Sequence, residues 1–295
     1  MIKEYLAPAK INLYLQVLGR RDDGYHELAM VMQRISLFDR LRMELISDAG
    51  VAVACPGVSL APGEDNIAVR AAEQLLQEAG LKTGLRITID KQIPVAAGLG
   101  GGSSDAATVL MGVNEMLQLG FSREELMRRA KPLGADVPFF VFQHDAWATG
   151  IGDVLTEVAG LPSAWYLLVN PRIAVSTGWV YRNLGLTSEI AAAKLPGFPT
   201  TAKDLVHLVH NDLERVTIPA HPVVAQVKQQ LLTAGAVAAL MSGSGPTVFG
   251  VFDDEATAQQ ACQLVQRDHD WWAALVQPLS AEVIRQVGPD RFPQI

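Results

Sequence analysis

The chain has 295 residues, of which 49% are apolar and 19% charged, a composition that argues against disordered and fibrous proteins. Lys plus Arg number 24 against 31 Asp plus Glu, and this net charge of −7 disfavours nucleic acid or an anionic membrane as the main partner. No apolar run approaches the ~18 residues of a membrane span, and charged Lys3 and Glu4 stand where a signal peptide needs an apolar core. We therefore expect a cytoplasmic protein with no membrane or nucleic-acid partner.

Cys55 and Cys262 form no cluster with His, and both are expected to be free thiols.

The first half of the chain begins with strands. Apolar residues alternate with a period of two over 9–18, and strand-like runs follow at 29–38 and 41–46, which predicts an antiparallel sheet rather than the start of a Rossmann fold. Helical spacing over 65–79, with Asp65 as N-cap and Gly80 at the end, predicts the first helix. A strand is predicted at 85–90 and a helix at 106–119. Ser122 and Glu125 form a capping box for a further helix that Gly134 closes.

The pattern weakens near residue 160, where we place a boundary between domains 1–160 and 161–295. The second half predicts a strand at 165–169, helices at 177–183, 201–210 and 222–234, and strands at 236–241 and 247–252. A helix from Glu255 and a strand near Ala273 complete it. Strands and helices are mixed without a regular alternation, which indicates the α+β class.

A segment rich in glycine and serine lies between the strand at 85–90 and the helix after it. Glycines let successive N–H groups turn toward one anion, and the positive end of the following helix adds to the attraction, so the segment predicts a phosphate site. No Lys precedes Ser103, so it is not a Walker P-loop, and it fits a Rossmann fingerprint poorly. The alternative is a flexible turn that binds nothing. The residues are Pro94, Val95, Ala96, Ala97, Gly98, Leu99, Gly100, Gly101, Gly102, Ser103 and Ser104.

A second loop, residues 241–246, contains Gly243 and Ser244 and has more Gly and Ser than a tight hairpin needs. Taken alone, a plain hairpin is the better interpretation. Together with the glycine loop at 94–104, it suggests two backbones that close on one polyphosphate.

Asp136 and Lys10 are the candidates for activating a nucleophile. A carboxylate against the apolar stretch 137–142 tends to gain a raised pKa, and an ammonium nearby would keep it charged and oriented. The alternatives are an Asp that caps a turn before Pro138 and an exposed strand lysine. Asn12 lies beside Lys10 in the first strand.

Tyr25 and His26 lie at a turn, where an aromatic ring and an imidazole could stack on a base and bind its edge. Thr177 and Tyr181 are four residues apart in a predicted helix and share a face, which could supply a second ring. The alternative is that the Tyr25–His26 pair serves packing.

Five segments together resemble the GHMP kinase superfamily. Within it, the segments PAKINL (8–13) and DGYHE (23–27) resemble the kinases that phosphorylate the 2-hydroxyl of 4-diphosphocytidyl-2-C-methyl-D-erythritol in the non-mevalonate isoprenoid pathway. The resemblance runs from residue 8 to about 250. It implies an amino-terminal domain similar to the second domain of ribosomal protein S5, a ferredoxin-like carboxy-terminal domain, and an active site between them. The other three segments are 94–107, 134–139 and 241–246.

The resemblance also implies roles. Asp136 would be the base and Lys10 its partner, residues 94–104 would hold the ATP phosphates, and Asn66 would contact the adenine. Asn12 would lie near the reacting hydroxyl, Tyr25, His26 and Tyr181 would hold the cytosine of a substrate with a cytidine diphosphate group, and the Gly243–Ser244 loop and Thr177 would lie on the substrate side.

No acidic metal ligand is evident, so Mg²⁺ would be held by phosphate oxygens, water and the Ser103 or Ser104 hydroxyl. The alternatives are a GHMP kinase for a smaller alcohol, of the homoserine or mevalonate type, and a relative that binds phosphate without turnover. The oligomeric state stays open.

Overall fold

The computed structural model describes residues 1–57, 66–185, 192–194 and 197–294. Within these ranges the chain forms two β-sheets with helices packed on them, so the predicted α+β class is confirmed. No helix in the described ranges is both long and apolar enough to cross a membrane. The predicted Asp65 N-cap lies outside the described residues, and the first helix is capped instead by Asn66, whose side chain accepts a hydrogen bond from the Ala68 amide.

The first sheet is built on a long antiparallel hairpin. Its first two strands pair from Arg20 and His26 at the turn to Ile2 and Glu44 at the far end. The order across the sheet is β3-β4-β2-β1-β8, with β5 pairing β2 and β6 pairing β5. The strands are β1 (Ile2–Arg20), β2 (His26–Ile46), β3 (Gly50–Ala54), β4 (Gly84–Asp90), β5 (Ala146–Gly150), β6 (Val154–Glu157) and the short β8 (His210–Asn211).

The sequence predicted two strands where the structure has the single strand β2, and Asp39 explains the difference. A charged residue inside an apolar run normally indicates a break, but Asp39 is fully buried and its carboxylate accepts hydrogen bonds from the amides of Gln92 and Ile93. Because its charge is satisfied by backbone donors, the strand continues through it. Strands β5 and β6 were not predicted.

One face of this sheet is covered by helices. They are α1 (Ile67–Glu78), α2 (Gly101–Met116), α3 (Arg123–Ala130) and α4 (Val137–Phe142). The capping box of Ser122 and Glu125 is confirmed, and a 3-10 turn carries α3 on to Gly134. Helix α2 begins at Gly101, five residues before the predicted start, because burial of the stretch 104–114 against the sheet and α1 stabilises the helix and outweighs the low helix propensity of its glycines.

The second sheet has the order β11-β7-β10-β9. The helix predicted at 201–210 is wrong, since that segment is a 3-10 turn (Lys203–His207) followed by β8, which pairs with β1. The other predicted elements of this half are confirmed with shifted ends. Helices α6 and α9 of this half were not predicted, and neither was α4 of the first half. The strands are β7 (Trp165–Asn170), β9 (Ala238–Met241), β10 (Val248–Phe252) and β11 (Trp272–Val276), and the helices are α5 (Thr177–Arg182), α6 (Glu214–Ala220), α7 (Val223–Thr233), α8 (Glu255–Asp268) and α9 (Ala281–Val287).

The two sheets pack face to face through a buried apolar cluster. Ile11 and Leu13 of β1 belong to it together with Leu168 of β7 and Phe249 of β10. The chain passes from the first sheet to the second between Glu157 and Trp165. The division of the domains at residue 160 stays a prediction. The glycine loop lies between the middle of β1, where Lys10 contacts it, and the loop that joins β9 and β10, where Ser242 contacts it.

Candidate active site

A cavity of about 1090 Å³ brings the predicted site residues together. All of them line it except Leu99 and Ser104, which are buried beneath its surface. The residues in its wall are Lys10, Asn12, Tyr25, His26, Asn66, Pro94, Val95, Ala96, Ala97, Gly98, Gly100, Gly101, Gly102, Ser103, Asp136, Thr177, Tyr181, Gly243 and Ser244. Residues from seven separate parts of the sequence therefore share one cavity.

The glycine loop is held on both sides by backbone contacts. On one side the amide of Lys10 donates to the carbonyl of Leu99 at 3.0 Å. On the other side the Ser242 hydroxyl donates to the carbonyl of Gly98 at 2.9 Å. Gly98 has a φ of +77°, and a Cβ there would lie 2.1 Å from the Ser242 carbonyl oxygen, so only glycine fits where the two loops touch. The glycine loop is thus a fixed element, and the loop at 241–246 is more than a plain hairpin.

Helix α2 directs its N-terminus at the cavity. Gly100, with a φ of +74°, starts the helix without a side-chain cap, and its carbonyl accepts the first hydrogen bond from the Ser104 amide at 2.9 Å. The amides of Gly101, Gly102 and Ser103 have no acceptor four residues earlier within the helix, as in every helical first turn. All three residues line the cavity. Amides and helix dipole together favour an anion at this point.

Lys10 and Asp136 meet in the wall between the two loops. The Lys10 ammonium is 2.6 Å from Asn12 Oδ1 and 3.6 Å from Asp136 Oδ2. The Lys10 side chain is only 5% exposed, so it is not the exposed strand lysine of the alternative interpretation. Asp136 is the N-cap residue of α4, yet its carboxylate makes no capping hydrogen bond and is 31% exposed. The carboxylate is therefore open to the cavity and oriented by an ammonium.

The aromatic group, Tyr25, His26 and Tyr181, lines the same cavity. The rings of His26 and Tyr181 contact each other with centroids 5.1 Å apart, whereas Tyr25 is 60% exposed. Burial, helped by the charge of Arg20, lowers the pKa of His26, which favours the neutral imidazole. The Thr177 and Ser244 hydroxyls are 2.8 Å apart, and this hydrogen bond ties α5 to the second loop.

Sequence reasoning missed a cluster of charges beside the glycine loop. The Lys91 ammonium donates to the carboxylates of Asp39 and Asp105, the latter at 2.6 Å, and Lys91 and Asp105 both line the cavity. Burial raises the pKa of Asp105 to about 8, although Lys91 acts in the opposite direction. The three residues lie on β2, on the link after β4 and on α2. Their separation along the chain left no local pattern to predict the cluster.

The oxygen of the Asn66 side chain is engaged in capping a helix, which leaves its nitrogen to contact a ligand. Its Oδ1 accepts from the Ala68 amide at 3.0 Å, and its side-chain amide lies 3.9 Å from Cys55 Sγ. Both Asn66 and Cys55 line the cavity. Because the carbonyl oxygen caps α1, the amide nitrogen is the atom that could contact a base.

Comparison with known proteins assigns the chain to a family. The model of the GHMP kinases N terminal domain matches residues 66–144, and that of the GHMP kinases C terminal domain matches residues 192–270. The 4-diphosphocytidyl-2-C-methyl-D-erythritol kinase of Syntrophotalea carbinolica is 56% identical over 95% of this chain and 100% of its own length. The chain belongs to the 4-diphosphocytidyl-2-C-methyl-D-erythritol kinase family. It is an enzyme, a kinase of the GHMP type.

Solved structures agree with this assignment. A crystal structure of 4-(cytidine 5′-diphospho)-2C-methyl-D-erythritol kinase matches with a TM-score of 0.77 at 36% identity and covers 92% of this kinase and 98% of the solved chain. The homoserine kinase of Cytophaga hutchinsonii has a TM-score of 0.66 at 18% identity, with 94% of both chains covered, and so shares the fold alone. The expected GHMP kinase fold is therefore confirmed.

Proposed function

We propose that this kinase transfers the γ-phosphoryl group of ATP to the 2-hydroxyl of 4-diphosphocytidyl-2-C-methyl-D-erythritol, a step of the non-mevalonate isoprenoid pathway. The observation that carries the proposal is the position of the Lys10–Asp136 pair. The pair lines the same cavity as the N-terminus of α2, which favours an anion, and as the aromatic group, so a phosphoryl donor and an acceptor that carries a nucleobase would meet beside it.

The glycine loop would hold ATP. The amides at the start of α2 and the loop backbone supply donors for the phosphate oxygens without any side chain. In phosphoryl transfer most of the catalysis comes from positioning and from stabilising charge on the transferred group, which fixed backbone amides provide. Asn66 would contribute the second hydrogen of its side-chain amide to the adenine, since the first is directed at Cys55 Sγ.

Mg²⁺ would complete the nucleotide site. Within the described ranges, no three side chains of His, Cys, Asp or Glu form a group that could hold a metal. The Ser104 hydroxyl is buried without a hydrogen-bond partner, and Ser103 lines the cavity one residue earlier. Hydroxyl oxygens are ligands that Mg²⁺ accepts beside phosphate oxygens and water, so Ser103 fits this ion, whereas Ser104 lies beneath the cavity surface. The ion would neutralise charge on the phosphates.

Asp136 would accept the proton of the 2-hydroxyl. Its carboxylate makes no capping hydrogen bond that it would have to give up, and the Lys10 ammonium, 3.6 Å away, orients it. Lys10 also bonds to Asn12, so the side chain that would lie near the hydroxyl is fixed to the same ammonium. The Lys10 charge would then stabilise the phosphates as the bond to the leaving group breaks.

The aromatic group would hold the cytosine. Tyr25 is the exposed ring on which a base can stack, and His26, neutral and packed on Tyr181, can offer one donor and one acceptor to the base edge. We expect His26→Ala to reduce the preference for the cytidine over the uridine form of the substrate, measured as the ratio of kcat/KM values. An unchanged ratio would remove His26 from base recognition.

The test of the proposed function is ADP release with and without acceptor. We expect ATP-dependent turnover with the cytidyl alcohol and little with homoserine or mevalonate, because a small alcohol leaves the aromatic group unused. Turnover with a small alcohol would favour that rival. ATP binding without turnover of any acceptor would favour the non-catalytic relative.

A further inference from the structure

The cavity holds four cationic side chains, and their partners divide them into two pairs. Lys10 is bound to Asp136, and Lys91 is bound to Asp39 and Asp105. Arg20 and Arg182 also line the cavity, but neither has a carboxylate oxygen of any described residue within 4.0 Å. Two positive charges are thus left for a ligand.

Both arginines lie beside the aromatic group. Arg20 is the last residue of β1 and is directly paired with His26 of β2, so the two side chains leave the sheet on the same face. Arg182 follows Tyr181 in α5, and a Cβ added to Gly178 would lie 3.5 Å from its Nη1, which places the guanidinium over Gly178 in the cavity wall. Since His26 and Tyr181 are in ring contact, the residues next to them, Arg20 on the paired strand and Arg182 in α5, both line the cavity beside the aromatic group.

Arg21, the residue after Arg20, does not line the cavity because carboxylates on the turn bind its guanidinium. The Arg21 guanidinium is 3.0 Å from both Asp23 Oδ2 and Glu27 Oε2, and these ion pairs shape the turn that carries Tyr25. Arg20, one residue earlier, faces the cavity instead. The charge of Arg20 is felt at His26, whose pKa it helps to lower.

We propose that Arg20 and Arg182 bind the diphosphate of the cytidyl substrate. They would make the kinase select an acceptor that carries the charged diphosphate over one that lacks it. The inference rests on the proposed function and adds to it the residues that recognise the charge. Guanidinium groups form charge-assisted, often bidentate hydrogen bonds to phosphate oxygens. The amides at the start of α2 already supply backbone donors for the ATP phosphates, whereas beside the aromatic group, among the residues that the structure describes, these two arginines are the cationic side chains of the cavity that no carboxylate neutralises.

The test compares cytidine diphosphate with cytidine as competitive inhibitors against the cytidyl substrate at saturating ATP. The variants are Arg20→Gln, Arg182→Gln and the double variant, with exposed Arg285→Gln as control. We expect the Ki of cytidine diphosphate to rise about three- to tenfold for each arginine, as for partly exposed charge-assisted hydrogen bonds. The Ki of cytidine and the KM of ATP should stay within about twofold, and Arg182→Lys should restore part of the loss.

Three outcomes would overturn the inference. An equal rise for cytidine and cytidine diphosphate would mean that the arginines only support the aromatic group, which is the result expected for Arg21→Gln. A rise in the KM of ATP alone would place them on the nucleotide side. No change in any constant would leave them without a ligand. Failure of the proposed function is a separate result, since it appears as absent turnover of the cytidyl substrate by the unaltered kinase.

Discussion

The proposed nucleotide side of the cavity is formed by the backbone of one continuous segment, residues 94–104, whereas the proposed acceptor side is formed by side chains from the β1–β2 hairpin, α5 and the second loop. A backbone site depends on local conformation, so its residue types are glycine and serine and its pattern is visible in sequence. A site made of side chains depends on tertiary packing. Substitutions on the backbone side should therefore change the KM of ATP, and substitutions on the side made of side chains should change the KM of the cytidyl substrate. Substitution of the Lys10–Asp136 pair should change kcat.

Asp136→Asn should have the largest effect of these substitutions, and kcat is the constant that it should change most. The amide keeps the shape of the side chain but cannot accept the proton, so we expect kcat to fall roughly 10²- to 10⁴-fold. The KM values of both substrates should change only a few-fold, because neither binding side is altered. Steady-state kinetics measures all three constants.

Asp253→Asn is the matched control, since Asp253 pairs with Lys203 at 3.2 Å outside the cavity. It should leave kcat unchanged. Near-normal turnover in Asp136→Asn would instead remove Asp136 from the role of base.

Gly102→Ala tests the side of the cavity that is formed by backbone. It should stabilise the fold and weaken the binding of ATP. Gly102 lies in the first turn of α2, and no heavy atom lies within 4 Å of an added Cβ, so the fold has room for it. Alanine should stabilise the helix by about 0.5–1 kcal/mol. A methyl group in the space of a phosphate should cost about 1–3 kcal/mol, which raises the KM of ATP about five- to a hundredfold.

The measurement is the melting temperature with and without ATP, and Gly197→Ala, also at a position with open space, is the control. Gly101 is a poorer probe, because a Cβ there would lie 3.0 Å from Ile93 and so disturb the fold itself. A Gly102→Ala kinase with an undiminished ATP-induced shift would contradict a phosphate site at α2.

Tyr25→Ala tests the side made of side chains. Stacking on an aromatic ring contributes roughly 1–3 kcal/mol per base, so the KM of the cytidyl substrate should rise about five- to a hundredfold while the KM of ATP hardly moves. Tyr25→Phe keeps the ring and should retain most of the affinity. If Tyr25→Ala raised the KM of ATP and spared the substrate, the assignment of the two sides would be reversed.

The contrast also explains how much the sequence could predict. The glycine loop, the capping box at Ser122 and the α+β class follow from local patterns, and the structure confirms these elements. Asp39 was missed because its buried charge is satisfied by the amides of Gln92 and Ile93, which come 53 and 54 residues later. The meeting of Gly98 with Ser242 could be suggested only from the likeness of two loops, since the hydrogen bond between them spans 144 residues.

Ala96→Gly should have the smallest effect, and it asks whether stiffness of the glycine loop matters. Ala96 has a φ of +52°, in the left-handed region that costs a non-glycine residue roughly 1–2 kcal/mol. Glycine removes this strain but adds freedom to the unfolded chain worth about 0.4–1 kcal/mol, so the net stabilisation lies between zero and about 1.6 kcal/mol. The KM of ATP should change less than about twofold, because the donors of the loop are backbone amides that glycine retains.

Gln118→Gly is a control of the same geometry, since Gln118 also has a φ of +52° but does not line the cavity. Both variants should gain similar stability in thermal unfolding. If Ala96→Gly alone raised the KM of ATP several-fold, the loop would owe part of its affinity to the restricted backbone of an alanine, and the nucleotide side would depend on side chains after all.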